Sequence, residues 1–193
     1  HQGVDILTPL IQYFTIVILV LLIHFLGSYS IFLSLFSNLK RAIFYKKLKQ
    51  LLVFTFSTSS SNASIPYTLD IVTRKYGVDK SFSSFSIPLG ATINMDGTAI
   101  MQGCATYFLA SYYGVSLEFT DYLTIIVTAT LASIGTAGIP SAGIIMLSII
   151  LEQIGIPLEG IALLLGIDRL LDMVRTSVNV AGDTCITCIV ANS

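Results

Sequence analysis

Between Asp168 and Asp183, inside a largely apolar stretch, the polar residues Asp168, Asp172, Arg175, Asn179 and Asp183 recur at helical spacing. At about 100° per residue they fall within an arc of about 80° on one helix face. Ionisable groups within an apolar span are costly to bury and commonly mark an ion or substrate pathway. Arg175 offers a planar fork of donors suited to bidentate binding of a carboxylate, and Asp172, one turn away, can accept from an ammonium group. Together they read an acidic amino acid. The structural alternative is an internal ion pair of Arg175 with Asp172 or Asp168, which does not exclude exchange for a ligand.

A second polar group, Asn94-Met95-Asp96-Gly97-Thr98, interrupts an apolar segment from Ser86 to Tyr113. Unwound backbone exposes carbonyls, which are hard oxygen ligands, and Asp96 and Asp183 add negative charge. Small cations are the natural guests, and sodium fits better than a softer transition metal, which prefers His or Cys ligands. A simple cap of the helix break is the structural reading of Asp96. Two further breaks are rich in Ser and Gly: 57–64, followed by Ile65-Pro66, and 135–143, which contains Ile139 and Gly143. Glycine lets backbone approach a ligand closely at the second of these. Helix N-termini beyond the two breaks, with the Ser61 and Thr98 hydroxyls, suit a main-chain carboxylate. Cys185 and Cys188 form a CxxC with no second Cys pair or His nearby, so they read as small helix residues, and with Cys104 they give no disulfide framework. His24 sits alone in an apolar span and receives no role.

The elements that position these groups belong in a membrane. The 193 residues are 54% hydrophobic and 11% charged, with mean hydropathy +0.83, outside the usual range of soluble domains. A net charge of −1 gives no reason to expect a nucleic-acid partner. Lys40, Arg41, Lys46, Lys47 and Lys49 supply half of the ten basic residues, and the positive-inside rule puts them in the cytoplasm. Contact with lipid headgroups is a compatible additional role. The chain has no initiator Met, and its first apolar block is too long for a cleavable signal peptide, so it reads as a fragment.

The expected fold is an all-α membrane protein with transmembrane helices and two re-entrant helical hairpins. Residues 1–50 supply a transmembrane helix, Leu10 to Phe36, long enough to cross about 30 Å of hydrocarbon, and the basic cytoplasmic segment. Residues 51–193 form the binding core: hairpin 51–76, broken helix 86–113, hairpin 121–154 and polar helix 157–191. The short arms of the first hairpin cannot cross alone, and basic residues at both ends make it enter and leave on the cytoplasmic side. The acidic loop with Glu118 and Asp121 puts the second hairpin's opening on the outside. Hairpin, broken span, hairpin and polar span thus form an inverted repeat, with Ala63-Ser64-Ile65-Pro66 echoed by Ala137-Gly138-Ile139-Pro140. Secondary transporters place substrate and coupling ions at the interface of such repeats.

The segments Ser59 to Pro66, Pro88 to Ala99, Ala132 to Pro140 and Asp168 to Asp183 resemble the dicarboxylate/amino acid:cation symporters, the glutamate transporter family. The resemblance covers nearly the whole chain, with four long motifs in the family's order. It implies a homotrimer in which a mobile transport domain moves like an elevator against a fixed scaffold, this chain being most of the transport domain and the N-terminal scaffold lying outside it. It also implies substrate binding by Ser61, Thr98, Ile139, Gly143, Asp172, Arg175, Thr176 and Asn179, with Asp172 on the amino group and Arg175 on the side-chain carboxylate. One sodium site would use Gly90, Asn94, Asn179 and Asp183, and a second Thr92 with backbone carbonyls of Ser133, Ile134 and Thr136. A third would draw on Asn94 and Asp96, completed by a helix outside this chain. The second hairpin would be the outer gate. Archaeal members of the family carry a second arginine at the Ser59 position and animal members at the Met173 position, and this chain has neither. Met101 stands where relatives have an aromatic residue.

The expected activity is therefore sodium-coupled symport of aspartate or glutamate, with proton co-transport as an addition, through a multi-pass protein of the plasma membrane in contact with lipid. A C4-dicarboxylate or neutral amino-acid substrate is the alternative within the fold. An intramembrane aspartyl protease built on Asp96 and Asp172, and a passive cation channel, are the readings from other classes.

Overall fold

The computed structural model describes residues 7–192, and every regular element among them is helical. Helix α1 (Leu7–Ile23) passes through a π-helical turn, His24–Ser28, into α2 (Tyr29–Phe36). Together they make one rod of 30 residues, apolar and long enough to cross a membrane. Extended backbone at Ser37 and Lys40 leads to α3 (Arg41–Thr58). Ser59 takes a left-handed conformation, φ 50°, and the chain reverses into α4 (Ser61–Tyr76). The Ser60 hydroxyl caps α4 by accepting from the N–H of Ala63 at 3.1 Å. Gly77, φ 75°, closes α4 in the left-handed conformation that glycine tolerates best.

Asp79 caps α5 (Lys80–Ile93) by accepting from the N–H groups of Ser81 and Phe82. The helix breaks at Asn94 and Met95, whose dihedrals are not helical, and resumes as α6 (Asp96–Tyr113). A reciprocal cap between Glu118 and Asp121 starts α7 (Phe119–Ile134). Irregular backbone over 135–141 then leads to α8 (Ala142–Ile154). A 3₁₀ turn, Leu158–Gly160, opens the long α9 (Ile161–Ala191).

Several boundaries differ from those read in the sequence. The first hairpin does not begin at 51: the basic segment and the first arm are one helix, so the division at 50/51 falls inside α3. Phe44, Leu48, Leu51 and Thr55 are all buried, a one-face spacing that continues the amphipathic pattern through the lysines. Lys and Arg are good helix formers whose stems lie along apolar surface while their heads reach out. The segment before the break starts at Lys80 rather than Ser86, the break occupies only two residues, and α9 begins at Ile161 after the 3₁₀ turn rather than at 157.

Both hairpins fold back on themselves. The Lys47 ammonium donates to the carbonyl of Lys75, that of Lys75 donates to the Gln50 side chain, and the Tyr76 hydroxyl donates to the carbonyl of Phe44 at 2.8 Å. The start of α3 therefore lies beside the end of α4, with the tip at Ser59. In the second hairpin the Thr128 hydroxyl donates to Gln153 Oε1 at 2.6 Å, joining α7 to α8. Helix α9 runs through the middle, against α1, α3, α4, α5 and α6.

Large apolar side chains such as Ile11, Ile23, Val53, Ile126, Leu131 and Ile145 are exposed, while Asp168, Asp172, Arg175, Asn179 and Asp183 are buried. Burying charge while exposing Ile and Leu inverts the usual order of a water-soluble domain. It matches an exterior facing hydrocarbon and an interior that satisfies its own polar groups.

Candidate functional site

The buried line of α9 meets the two hairpin tips and the break between α5 and α6. A single cavity is lined by Ser59 and Ser61 from the first tip, Thr136 to Ile139 and Gly143 from the second, Met95 and Thr98 beside the break, and Asp172, Arg175, Thr176 and Asn179 from α9. All eight substrate-binding positions read from the sequence line it. Its volume is about 10 Å³, roughly the room one water needs. The tips close it directly. The carbonyl of Gly138 accepts from the N–H of Asn62 at 3.1 Å and from the Ser60 hydroxyl at 2.7 Å.

Within the cavity, Arg175 Nη2 donates to Asp172 Oδ1 at 2.5 Å, and Asp168 Oδ1 lies 3.7 Å from Nη1. Arg175 is 2% exposed and Asp172 3%. Asp172 Oδ2 accepts from the N–H of Ser141 at 2.8 Å, so the same carboxylate fastens the second tip. Arg175 Nη1 and Asp168 Oδ2 are buried with no hydrogen-bond partner. A buried donor left unmade is costly, so this guanidinium keeps unused capacity for an anion. The internal pair anticipated as the alternative is present, and it leaves Nη1 without a hydrogen bond.

At Gly143 the backbone comes close to the site: a Cβ there would stand 3.0 Å from Arg175 Nη1 and from Thr98 Cγ2. Its carbonyl accepts from Gln102 Nε2 at 3.0 Å. Ile139 contributes backbone, since its side chain is 55% exposed. Thr98 Oγ1 accepts from Asn179 Nδ2 at 3.1 Å, and Asn179 Oδ1 accepts from the N–H of Gly97 at 2.8 Å.

The first expected cation set converges. Asn94 Nδ2 donates to Asp183 Oδ1 at 2.9 Å, and that oxygen would lie 2.6 Å from a Cβ on Gly90. Asn179 reaches the same break through Gly97. The second set is arranged differently. Thr92 is exposed and its hydroxyl donates to the carbonyl of Pro88 at 2.9 Å, while the carbonyl of Ser133 accepts from the N–H of Thr136 at 3.1 Å. Ile134 is exposed, and the Thr136 hydroxyl donates to the carbonyl of Ala132. Asp96 Oδ1 accepts from the N–H of Gly97 at 2.9 Å, which is the local cap, and its Oδ2 faces His24 and Tyr29 at 2.6 Å each. Among the described residues no three of His, Cys, Asp or Glu cluster tightly enough to hold a metal. Any cation ligand set here is therefore amide, carbonyl and single carboxylates, the donors of hard ions.

The profile of the Sodium:dicarboxylate symporter family matches residues 1–193. The chain belongs to that family. An excitatory amino acid transporter of Caenorhabditis elegans is 38% identical over 183 residues, 95% of this chain and 36% of the relative. Excitatory amino acid transporter 1 of Homo sapiens is 41% identical over 175 residues, 91% of this chain and 32% of the relative. Neutral amino acid transporter B(0) of Mus musculus is 48% identical over 132 residues, 68% of this chain and 24% of the relative. The chain thus spans about a third of the length of the excitatory transporters it matches. That family is one of symporters rather than enzymes. Of the two carboxylates considered for a protease pair, Asp96 engages His24, Tyr29 and Gly97, and Asp172 engages Arg175 and Ser141.

Some participants escaped the sequence reading. Gln102 carried a usable signal, because Thr98, Gln102 and Thr106 recur every four residues along α6 and are all buried. Asn62, Ser60 and Ser141 act through a fold-back contact or through backbone, which spacing does not reveal. His24 and Tyr29 are five residues apart, off any helical repeat.

Proposed function

We propose that the full-length protein is a secondary transporter that couples sodium entry to uptake of aspartate or glutamate. The observation that carries this reading is the Arg175 to Asp172 pair inside a cavity closed by both hairpin tips. A zwitterion with an extra carboxylate exchanges with that pair: its ammonium takes Asp172, its side-chain carboxylate takes the fork of Arg175, and its main-chain carboxylate meets the start of α4 with Ser61 and Thr98. Such a ligand does not fit the cavity at its present size, so the second tip moves to admit it. Ser141 is released from Asp172 in that movement. Thr176 and Asn179 border the ligand, and Gly138 to Gly143 supply backbone.

Sodium binds through Gly90, Asn94, Asn179 and Asp183, beside substrate-contacting Thr98 and Asn179. Asn179 belongs to both sets, which makes cation and substrate binding interdependent. A second sodium binds Thr92 with the carbonyls of Ser133, Ile134 and Thr136 once the tip of the second hairpin rearranges, and a third involves Asn94 and Asp96. A proton is a further co-transported ion. The two hairpins are re-entrant and open to opposite sides, the protein crosses the plasma membrane several times, and the domain moves as an elevator within a homotrimer whose scaffold lies outside this chain.

Binding of aspartate to purified full-length protein, measured with and without sodium, tests the reading. Cooperative sodium dependence is expected. Uptake indifferent both to a sodium gradient and to Arg175→Ala would overturn it. A neutral amino-acid substrate is the second reading, favoured by the 48% identity to neutral amino acid transporter B(0). Competition by serine stronger than by aspartate selects it, and succinate competing as well as aspartate selects a dicarboxylate.

A further inference from the structure

Asp96 sits where α5 ends and α6 begins, and the far side of its carboxylate is held by the first residue of the π-helical turn and the first residue of α2. His24 Nε2 and the Tyr29 hydroxyl both lie 2.6 Å from the same oxygen, Oδ2. An ionised carboxylate only accepts, so both neighbours donate. The two rings meet edge to face at 5.0 Å between centroids, and the Tyr29 hydroxyl also lies 3.0 Å from the carbonyl of Val178 on α9. Tyr29 is fixed from a third side, because a Cβ on Gly182 would lie 2.7 Å from its oxygen.

This convergence depends on an irregular turn. On an uninterrupted α-helix, residues five apart point about 140° away from each other. His24–Ser28 is a π-helical turn, whose i to i+5 bonding stacks His24 over Tyr29 on one face. No Pro lies in it, and Gly27 has nothing within 4 Å of its Cβ position, so neither proline nor crowding at that glycine accounts for the irregularity. The two side chains that it aligns share one acceptor.

We propose that His24 and Tyr29 are positioning residues for the coupling cation: by occupying Oδ2 of Asp96 they fix its carboxylate and the adjoining Asn94–Met95 break in the geometry a cation needs. The inference rests on the reading of this break as a cation site. Oδ1 of Asp96 accepts from the N–H of Gly97, which also donates to Asn179, and Asn94 holds Asp183. A carboxylate released by His24 and Tyr29 rotates out of this network and gives up the Gly97 N–H. The cation site loosens while Arg175 and Asp172, which share no contact with His24, keep their geometry.

The test is sodium titration of aspartate binding to the full-length transporter bearing His24→Ala, His24→Gln or Tyr29→Phe. His24→Ala is expected to raise the half-saturating sodium concentration about tenfold, with aspartate affinity at saturating sodium changed less than twofold. Glutamine keeps an N–H donor and is expected to restore most of the sodium affinity, and Tyr29→Phe to raise the half-saturating sodium about threefold. Unchanged sodium dependence in a folded His24→Ala protein overturns the proposal. So does an equal loss of aspartate affinity at saturating sodium, or no recovery with glutamine. If His24→Ala fails to fold, Tyr29→Phe decides by the same criteria. A wild-type protein that binds aspartate without sodium defeats the cation reading itself, whereas a sodium-dependent wild type with insensitive variants defeats this inference alone.

Discussion

The backbone N–H of Asn62, at the tip of the first hairpin, donates to the carbonyl of Gly138 at the tip of the second across 3.1 Å. Gly138 lines the cavity that the two tips share, and this contact joins them there. A Cβ at 138 would crowd it, standing 2.6 Å from Asn62 Oδ1 and 3.1 Å from the Asn62 nitrogen. Gly138→Ala is therefore expected to part the tips and forfeit a hydrogen bond of about 1 kcal/mol, or about fivefold in ligand residence time. The closest clash is with a side chain, so Gly138→Ala combined with Asn62→Ala is expected to regain most of it. Dissociation of labelled aspartate in a chase experiment measures both, and a double variant no better than the single one removes the tip contact as the cause.

Arg175 separates charge recognition from charge neutralisation. Arg175→Ala leaves Asp172 and Asp168 buried without their cation, and breaking a buried pair in this way costs about 3–5 kcal/mol. A clear fall in Tm is expected alongside lost binding. Arg175→Lys keeps the charge but loses the planar fork. The lysine variant is expected to retain most of the thermal stability while aspartate binding weakens about tenfold or more and serine binding is spared. A competition assay with both ligands reads the difference, and equal weakening of both would argue against a side-chain carboxylate at Arg175.

Gly90 offers a way to disturb the cation set without touching a charge. Alanine there drives a methyl group against Asp183 Oδ1 and its carboxyl carbon, at 2.6 and 2.8 Å. The Asp183 carboxylate must swing off Asn94 Nδ2. Gly90→Ala is expected to raise the sodium requirement for aspartate binding severalfold, and Asp183→Asn to flatten the sodium dependence, both measurable by sodium titration. A normal sodium titration in both variants would take this site out of the coupling.

The openings of the two hairpins predict opposite accessibility. Single cysteines replacing Lys75, at the end of α4, and Glu118, at the start of α7, are expected to react with a membrane-impermeant maleimide from the cytoplasmic and extracellular sides respectively. Cys185 and Cys188 are buried, and the half-buried Cys104 is replaced by serine to keep background labelling low. Labelling of both from one side would refute the inverted arrangement.

Much of the site was legible because polar residues in an apolar chain have few destinations. The 80° arc on α9 needed only helical periodicity, and the two tips and the Asn94 break were marked by Ser, Gly and Asn where an apolar helix has no use for them. Element ends were less legible. The lysines before Leu51 hid the start of α3, because hydropathy fell while the buried spacing of Phe44, Leu48 and Leu51 continued.

By itself the sequence determined a helical membrane protein with one charged stripe, three helix breaks, and a carboxylate and a guanidinium one turn apart on the same helix face. Each of those follows from local periodicity and from the cost of placing charge in apolar surroundings. Tertiary structure alone decided which groups meet. Asn62 finds Gly138 across 76 positions of sequence, and Asp96 finds His24 across 72. Such pairings depend on how whole helices pack around α9, and on a π-turn that changes the register of one of them, and neither is written in the spacing of neighbouring residues.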